Sequence, residues 1–188
     1  MLILHSFWLS LATYRVRIAL HLKGVAFEER AHDLSKGEHD LPEFRKLNPA
    51  RAVPALEGGT REPLTQSLAI LEWLEESYPI RPLLPPDAEG RAKVRSLFLL
   101  TTADSHPLVV PRVQARLAKQ FGSDEAAGLA WSAHWFREGL VAYEAQLAWR
   151  DTLPRRDAEH RRSGAGKPSW VFRFNVTGDS GNVTDDSV

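Results

Sequence analysis

The chain has 188 residues, enough for one large domain or two small ones around a real core. Its 24 Lys and Arg balance 24 Asp and Glu, so no net field argues for nucleic acid or a charged membrane surface, and small neutral or anionic partners stay open. It has no cysteine, which excludes disulfides, thiolate metal sites and a cysteine nucleophile; no metal is expected, and any thiol must be supplied from outside.

Met1 to His5 lacks a basic segment followed by a long apolar run, and no stretch reaches the roughly 18 apolar residues that span a bilayer. A cytoplasmic protein is therefore expected, and the Asn-Val-Thr sequons at Asn175 and Asn182 are read as chance. Leu2 to His5 is a short apolar strand. Tyr14 to Lys23 carries Val16, Ala19 and Leu20 at helical spacing and ends before Gly24, a good helix-terminating residue. Ala26 to Ala31 reads as a second strand anchored by Phe27, and a polar loop from Asp33 to Asp40 leads to a helical piece around Glu43 to Leu47. Pro54 to Glu57, the Gly58-Gly59 turn and Thr60 to Leu64 make a hairpin. Ser67 then caps a helix with Leu68, Leu71, Leu74 and Tyr78 inward. The order βαβαββα predicts a thioredoxin-like α/β domain over residues 1–80, with a mixed sheet whose last two strands pair antiparallel.

The proline-dense stretch Tyr78 to Pro86 cannot continue a helix, and residues 81–87 form the predicted linker. Residues 88–149 read as an all-helical domain. Ala88 to Thr102 has Val94, Leu97 and Phe98 on one face, Pro107 and Pro111 interrupt the next stretch, and Asp124 to Trp149 carries Phe136, Leu140, Tyr143 and Leu147 at helical steps. From residue 150 to 188 the periodicity gives way to an Arg-, Ser- and Gly-rich segment, expected to be irregular and poorly ordered. Arg150, Arg155, Arg156, Arg161, Arg162 and Lys167 there are diluted by Asp151, Asp157 and Glu159, a poor nucleic-acid surface.

Three stretches carry the chemistry: Ser10 to Leu20, Asn48 to Pro54, and Gln66 to Ile70. Each places hydroxyl, amide or backbone polar groups near the entry to a helix or strand, and helix N-termini hold anions through unpaired N–H groups and the dipole. That suits a thiolate and carboxylates. A cis Val53-Pro54 bond would turn the Val53 main chain outward to pair with an extended peptide, though Val-Pro alone reads more readily as an ordinary trans turn before a strand. Gln66-Ser67 reads either as a carboxylate holder or as a plain cap. Arg15 and Arg17 lie on different helix faces, so both are not expected to serve one ligand. Arg15 with Arg112 could grip a substrate carboxylate, or either could form a surface salt bridge.

In this order the stretches resemble zeta-class glutathione transferases, whose best-known activity is maleylacetoacetate isomerisation. The resemblance rests on Ser-x-x-x-Tyr-Arg-Val-Arg-Ile-Ala-Leu at Ser10 to Leu20, on Leu-Asn-Pro with Val-Pro at Leu47 to Pro54, and on Gln-Ser-Leu-Ala-Ile with Glu72 and Leu74. It extends through Arg81 to Pro85 and Asp104 to Leu108, and covers roughly residues 2 to 148. It implies glutathione as cofactor, a small electrophilic, dicarboxylate-type substrate and a homodimer. It also implies a role for Ser10 in holding the glutathione sulfur as thiolate, with Leu11, Ala12 and Thr13 around it. His39 would face the glycyl end, Val53 and Pro54 the cysteinyl unit, Gln66 and Ser67 the γ-glutamyl carboxylate, and His106 would reach the site from the helical half. Arg15 is the second expected catalytic residue. The implied reaction is reversible thiolate addition to a conjugated double bond, rotation about the resulting single bond, and elimination to the trans isomer. A thiol with a pKa near about 8.5 must first be ionised for that.

Two departures from the family pattern bear on activity. Leu11 stands where a second serine is usual and Ala12 where cysteine or alanine is usual. Nothing after residue 149 matches, which suggests a frameshifted or replaced tail that resequencing the coding region would check, and an incomplete helical domain that leaves Trp131 and Trp135 uncovered. The alternative function is a catalytically silent glutathione-fold binding protein, which turnover would separate from the enzyme.

Overall fold

The structure is a computed structural model that describes the backbone of residues 1–152 and side chains through Ala148. The expected irregular tail lies outside the described residues. Leu2–Ser6 forms β1, Leu11–Lys23 α1 and Phe27–Ala31 β2. Two 3-10 turns, Leu34–Lys36 and Glu38–Asp40, replace the expected plain loop before α2, Pro42–Leu47. Asp33 starts the first turn by accepting from the Ser35 N–H, and Gly37 ends it in the left-handed region.

Strands β3, Ala55–Glu57, and β4, Leu64–Thr65, complete a sheet of order β2-β1-β3-β4, and α3 follows at Ser67–Ser77. β1 pairs parallel with β2, Leu2 opposite Phe27, and antiparallel with β3, His5 opposite Ala55; β3 and β4 are antiparallel. This is the mixed thioredoxin-like sheet that the strand and helix order predicts. Side chains alternate across it. Leu2, Leu4 and Leu56 pack with Val16, Ala19 and Leu20 of α1 and with Ile70 and Leu74 of α3, while Phe7, Phe44 and Val53 form a second cluster with Leu34 and Leu47. Gly58 closes the β3–β4 connection at φ +86°, and a Cβ there would lie 2.3 Å from the Met1 carbonyl oxygen, so the turn admits only glycine.

The predicted cap at Ser67 is corrected. Gln66 is the N-cap, with φ 68° and no side-chain bond, its carbonyl accepting from the Ile70 N–H; Ser67 is the first helical residue. Ile70, absent from the expected inward set, is fully buried with Leu74, and Leu68, Leu71 and Tyr78 are half-buried.

Beyond α3 the chain runs to α4, Ala88–Leu99, capped by Asp87 on the Gly90 N–H. Its helix does not stop at Thr102 but widens into a π-helical turn, Leu100–Ser105, which leads directly into α5, His106–Val109. Hydroxyls of Thr101 and Thr102 bond back to the Phe98 carbonyl, each at 2.9 Å, competing with the ordinary ladder. Pro111 starts α6, Pro111–Phe121, a helix that the proline pair hides in the sequence because proline is tolerated in a first turn. Helix α7, Glu125–Thr152, packs on the π-turn and on α5.

The face of α7 differs from the expected one. Leu140 is exposed, and Gly139 faces inward, where a Cβ would lie 2.6 Å from the Ser105 hydroxyl. Trp131 and Trp135 are half-buried rather than uncovered, with the Trp131 indole donating to the Leu108 carbonyl at 2.8 Å; exposure falls on Leu129, Leu140 and Val141 instead. Since Ser105 is itself buried, Gly139→Ala is expected to cost about 1–3 kcal/mol, measured as a lowered urea midpoint at unchanged slope. A loss below about 0.5 kcal/mol would mean that α7 moves off the π-turn freely.

Candidate active site

The sheet topology gathers most of the expected residues at one end. β1 runs out at Ser6, β3 and its predecessor Val53 run in beside it, β4 delivers Gln66 there, and β2, parallel to β1, releases the loop carrying His39 at the same end. Ser10 is the N-cap of α1. Its Oγ accepts from the Thr13 N–H at 3.2 Å, so its own proton is free to donate to a ligand. Thr13 is fully buried and its hydroxyl has no partner, Ala12 is half-buried, and Leu11 is 43 % exposed in the first helical turn.

Val53 and Pro54 are buried, and the bond between them is cis, with Val53 outside the strand ladder. The approach is shaped by Asn48, whose amide donates to the Ala52 carbonyl at 2.7 Å and whose oxygen accepts from the Ala50 N–H at 3.0 Å. Among the described residues, Arg51 and Gln66 are the non-glycine residues with positive φ, a conformation costing roughly 1–3 kcal/mol that is held only where the surroundings fix it. Ser67, the first residue of α3, is 8 % exposed. His39 is half-buried, its Nδ1 without a partner and its Nε2 3.6 Å from Asp40. Arg51 and Arg45 hold the Asp40 carboxyl below the usual range, the Arg51 hydrogen bond being the larger cause.

A second group lies where α1 meets the helical part. Arg15, one turn beyond Leu11, sits 5.6 Å over the Phe98 ring, and burial lowers its ionisation from the ordinary arginine value without discharging it. His106 is held down to about 4, first by burial and then by the charges of Arg15 and Arg112. Arg15, His106 and Arg112 therefore share one electrostatic neighbourhood, although Arg112 itself is exposed. Arg17 points elsewhere and pairs with Glu29, as the two-residue offset requires.

The His106 shift sets a pH signature. Its folded value is below the ordinary 6.5, so its contribution to stability is fully present above about pH 6.5 and lost as the pH falls through about 4. The imidazole is neutral at pH 7. An NMR titration of His106 is expected to show a midpoint near 4 that moves up in Arg15→Gln; an unchanged midpoint would mean that Arg15 does not act on it.

Sequence reading misses the ties that fix this geometry. Buried Lys23 bonds Glu75 at 2.7 Å and the carbonyls of Tyr78 and Arg81 at 3.0 and 3.1 Å, while Glu75 accepts from the Leu83 and Leu84 N–H groups. Arg95 of α4 grips Glu72 of α3 in a bidentate pair at 2.6 and 2.8 Å. Both acids stand in a helix that reads simply as amphipathic, and an apolar-looking strand hides His5, which is 3 % exposed.

Residues 9–77 match the family model described as Glutathione S-transferase, N-terminal domain. The chain is 50 % identical over 145 residues to a maleylpyruvate isomerase of Ralstonia sp., covering 77 % of this chain and 68 % of that protein. A maleylacetoacetate isomerase structure from Methylobacterium extorquens AM1, with bound malonate and glutathione, is 44 % identical with a TM-score of 0.75, covering 78 % of this chain and 68 % of that one. Another from Anaeromyxobacter dehalogenans 2CP-1, with dicarboxyethyl glutathione and citrate in its active site, is 38 % identical with a TM-score of 0.65, covering 78 % and 67 %. The chain thus spans about two thirds of the length of these relatives.

Proposed function

Because this chain belongs to the zeta class of the glutathione S-transferase family, we propose that it is a glutathione-dependent cis-trans isomerase of maleylacetoacetate or a closely related cis-enone acid. The observation that carries the reading is the gathering of Ser10, Val53, Gln66 and Ser67 at one end of the sheet, with neutral His106 beside Arg15 of α1 and Arg112 of α6. The residues fit a thiol tripeptide. Uncommitted polar atoms support that fit: the unpaired hydroxyl of buried Thr13, the unpaired Nδ1 of His39 and the free proton of Ser10.

When bound, glutathione supplies the thiolate that adds reversibly to the conjugated double bond. Ser10 donates its hydroxyl proton as a hydrogen bond to the sulfur, and the unpaired N–H groups at the start of α1 add the positive end of the helix dipole. Ser67 and the N-terminus of α3 hold the γ-glutamyl carboxylate with Gln66, Val53 offers its main chain to the cysteinyl unit, and His39 faces the glycyl end. Leu11 and Ala12 wall the sulfur. Arg15 and Arg112 hold the substrate carboxylate and stabilise enolate charge, which lowers the barrier more than it tightens ground-state binding. A homodimer in the cytoplasm is part of the proposal. Among the described residues no helix is long and apolar enough to cross a membrane.

Purified protein with maleylacetone is expected to catalyse cis-to-trans conversion above the glutathione-only blank and to do nothing without glutathione. No rate above the blank in folded protein that binds glutathione would leave the silent binding protein instead.

A further inference from the structure

On the α2 side of the sheet, three titratable groups form a continuous chain that the proposed reaction does not use. His5, buried on β1, meets Glu57 of β3 through Nε2 at 2.5 Å and His32, just past β2, through Nδ1 at 2.7 Å. The two imidazoles stack with centroids 5.0 Å apart, and both meet the Phe44 ring edge-on, at 6.4 Å from His5 and 4.8 Å from His32. Phe44 belongs to the same buried cluster as Val53, and its helix α2 packs on the 3-10 turn that carries His39. The imidazole pair thus supports the two parts of the wall that face the cysteinyl and glycyl units in the glutathione reading.

We propose that the Glu57–His5–His32 chain is a proton-sensitive positioning device for the glutathione wall, in which a second proton on the imidazole pair breaks its internal bond, releases Phe44 and weakens tripeptide binding. The proton count dictates this. With no excess proton, His5 donates through Nε2 to Glu57 and accepts at Nδ1 from the His32 Nε2–H. With one, His5 donates from both nitrogens and His32 accepts. Both states keep every bond, whereas a second proton sets two N–H groups face to face across 2.7 Å.

The surroundings do not rescue that doubly charged state. Glu57 is the carboxylate in contact with the pair. On β2, Arg30 opposes charge on His32 and is paired with Glu28, while Glu29 is committed to Arg17. Glu38 favours charge on His32 but already accepts from the Asp33 N–H, and Asp33 is taken by Ser35 and Lys36. On α2, Glu43, Arg45 and Lys46 are exposed, Arg45 lying toward Asp40. Burial, then the neighbouring His5 and Arg30, hold His32 below its ordinary value.

The inference rests on the glutathione reading, and its test separates the two. Calorimetry with S-methylglutathione, which has no thiol to ionise, is expected to give a dissociation constant that rises roughly tenfold between about pH 6.5 and about pH 4.5, the window lying below the ordinary imidazole value because His32 is held down. His32→Gln, whose amide can still donate to His5 but cannot take the proton, is expected to bind like the parent at the higher pH and to change less than about twofold across the range. A variant with the full parental pH dependence overturns the proposal. Amide hydrogen exchange over residues 33–47 provides a readout without ligand. It should speed up on acidification in the parent, after correction for intrinsic pH effects, and not in His32→Gln. If neither protein binds S-methylglutathione at any pH, the glutathione reading fails, and the exchange comparison alone decides whether the proton-sensitive support exists.

Discussion

Lys23→Met is expected to destabilise the protein by about 3–5 kcal/mol, the largest loss from any single side chain outside the apolar core. The Lys23 side chain is fully buried and the Glu75 side chain 7 % exposed, so removing the ammonium strands a carboxylate away from water. Burial pushes the Glu75 carboxyl up and disfavours its ionisation, but Lys23 together with the Leu83 and Leu84 N–H groups outweighs this and the carboxyl lies below its ordinary value. Its stabilising effect is therefore present above the ordinary glutamate range and lost as the pH falls through the lowered value. The pair also fastens the chain between α3 and α4, because the same two side chains bond Tyr78, Arg81, Leu83 and Leu84. Chemical denaturation should show the loss in Lys23→Met and a substantial recovery in Lys23→Met with Glu75→Leu, since the uncompensated charge is then gone. A single variant within about 1 kcal/mol of the parent would mean that water reaches Glu75.

Ser10→Ala is expected to lower kcat/KM for glutathione-dependent isomerisation by about 10²-fold or more while shifting glutathione affinity only a few-fold. The hydroxyl does two separable things. As N-cap it satisfies the Thr13 N–H, and losing that costs about 1 kcal/mol of stability. As donor it acts on the sulfur, and that loss appears in turnover. Measuring the unfolding midpoint beside the rate keeps the two apart. If Ser10→Ala keeps its rate and Thr13→Val loses it, the buried, unpartnered Thr13 hydroxyl is the sulfur's donor instead.

How much of the protein is legible in the sequence varies along the chain. The βαβαββα order emerges from short apolar runs, from Gly24 and Gly58, both at positive φ, and from an apolar stripe in each long helix, because these local signals agree with the sheet they build. Ser67 reads as a cap because nothing in Thr-Gln-Ser announces that Gln66 takes a positive φ. The π-turn and α6 escape sequence reading for related reasons. The hydroxyls of Thr101, Thr102 and Ser105 bond back to carbonyls and widen the helix, and Pro111 reads as a break although it opens the next helix. On α7, Leu140 fits the apolar spacing, yet Gly139 takes the inward place because Ser105 approaches too closely for a side chain. The grouping of Arg15 with His106 and Arg112, and of His5 with His32 and Glu57, depends on which elements meet across the fold and leaves no local trace.

Whether this site ionises the thiol of glutathione is read directly from the ultraviolet thiolate absorbance of glutathione bound to the full chain, titrated from acid to alkaline pH. The expected result is a midpoint at least about one unit below the free thiol's, returning toward the free value in Ser10→Ala. A bound thiol that titrates like the free one would contradict the account, because the helix entry would then hold the tripeptide without activating it.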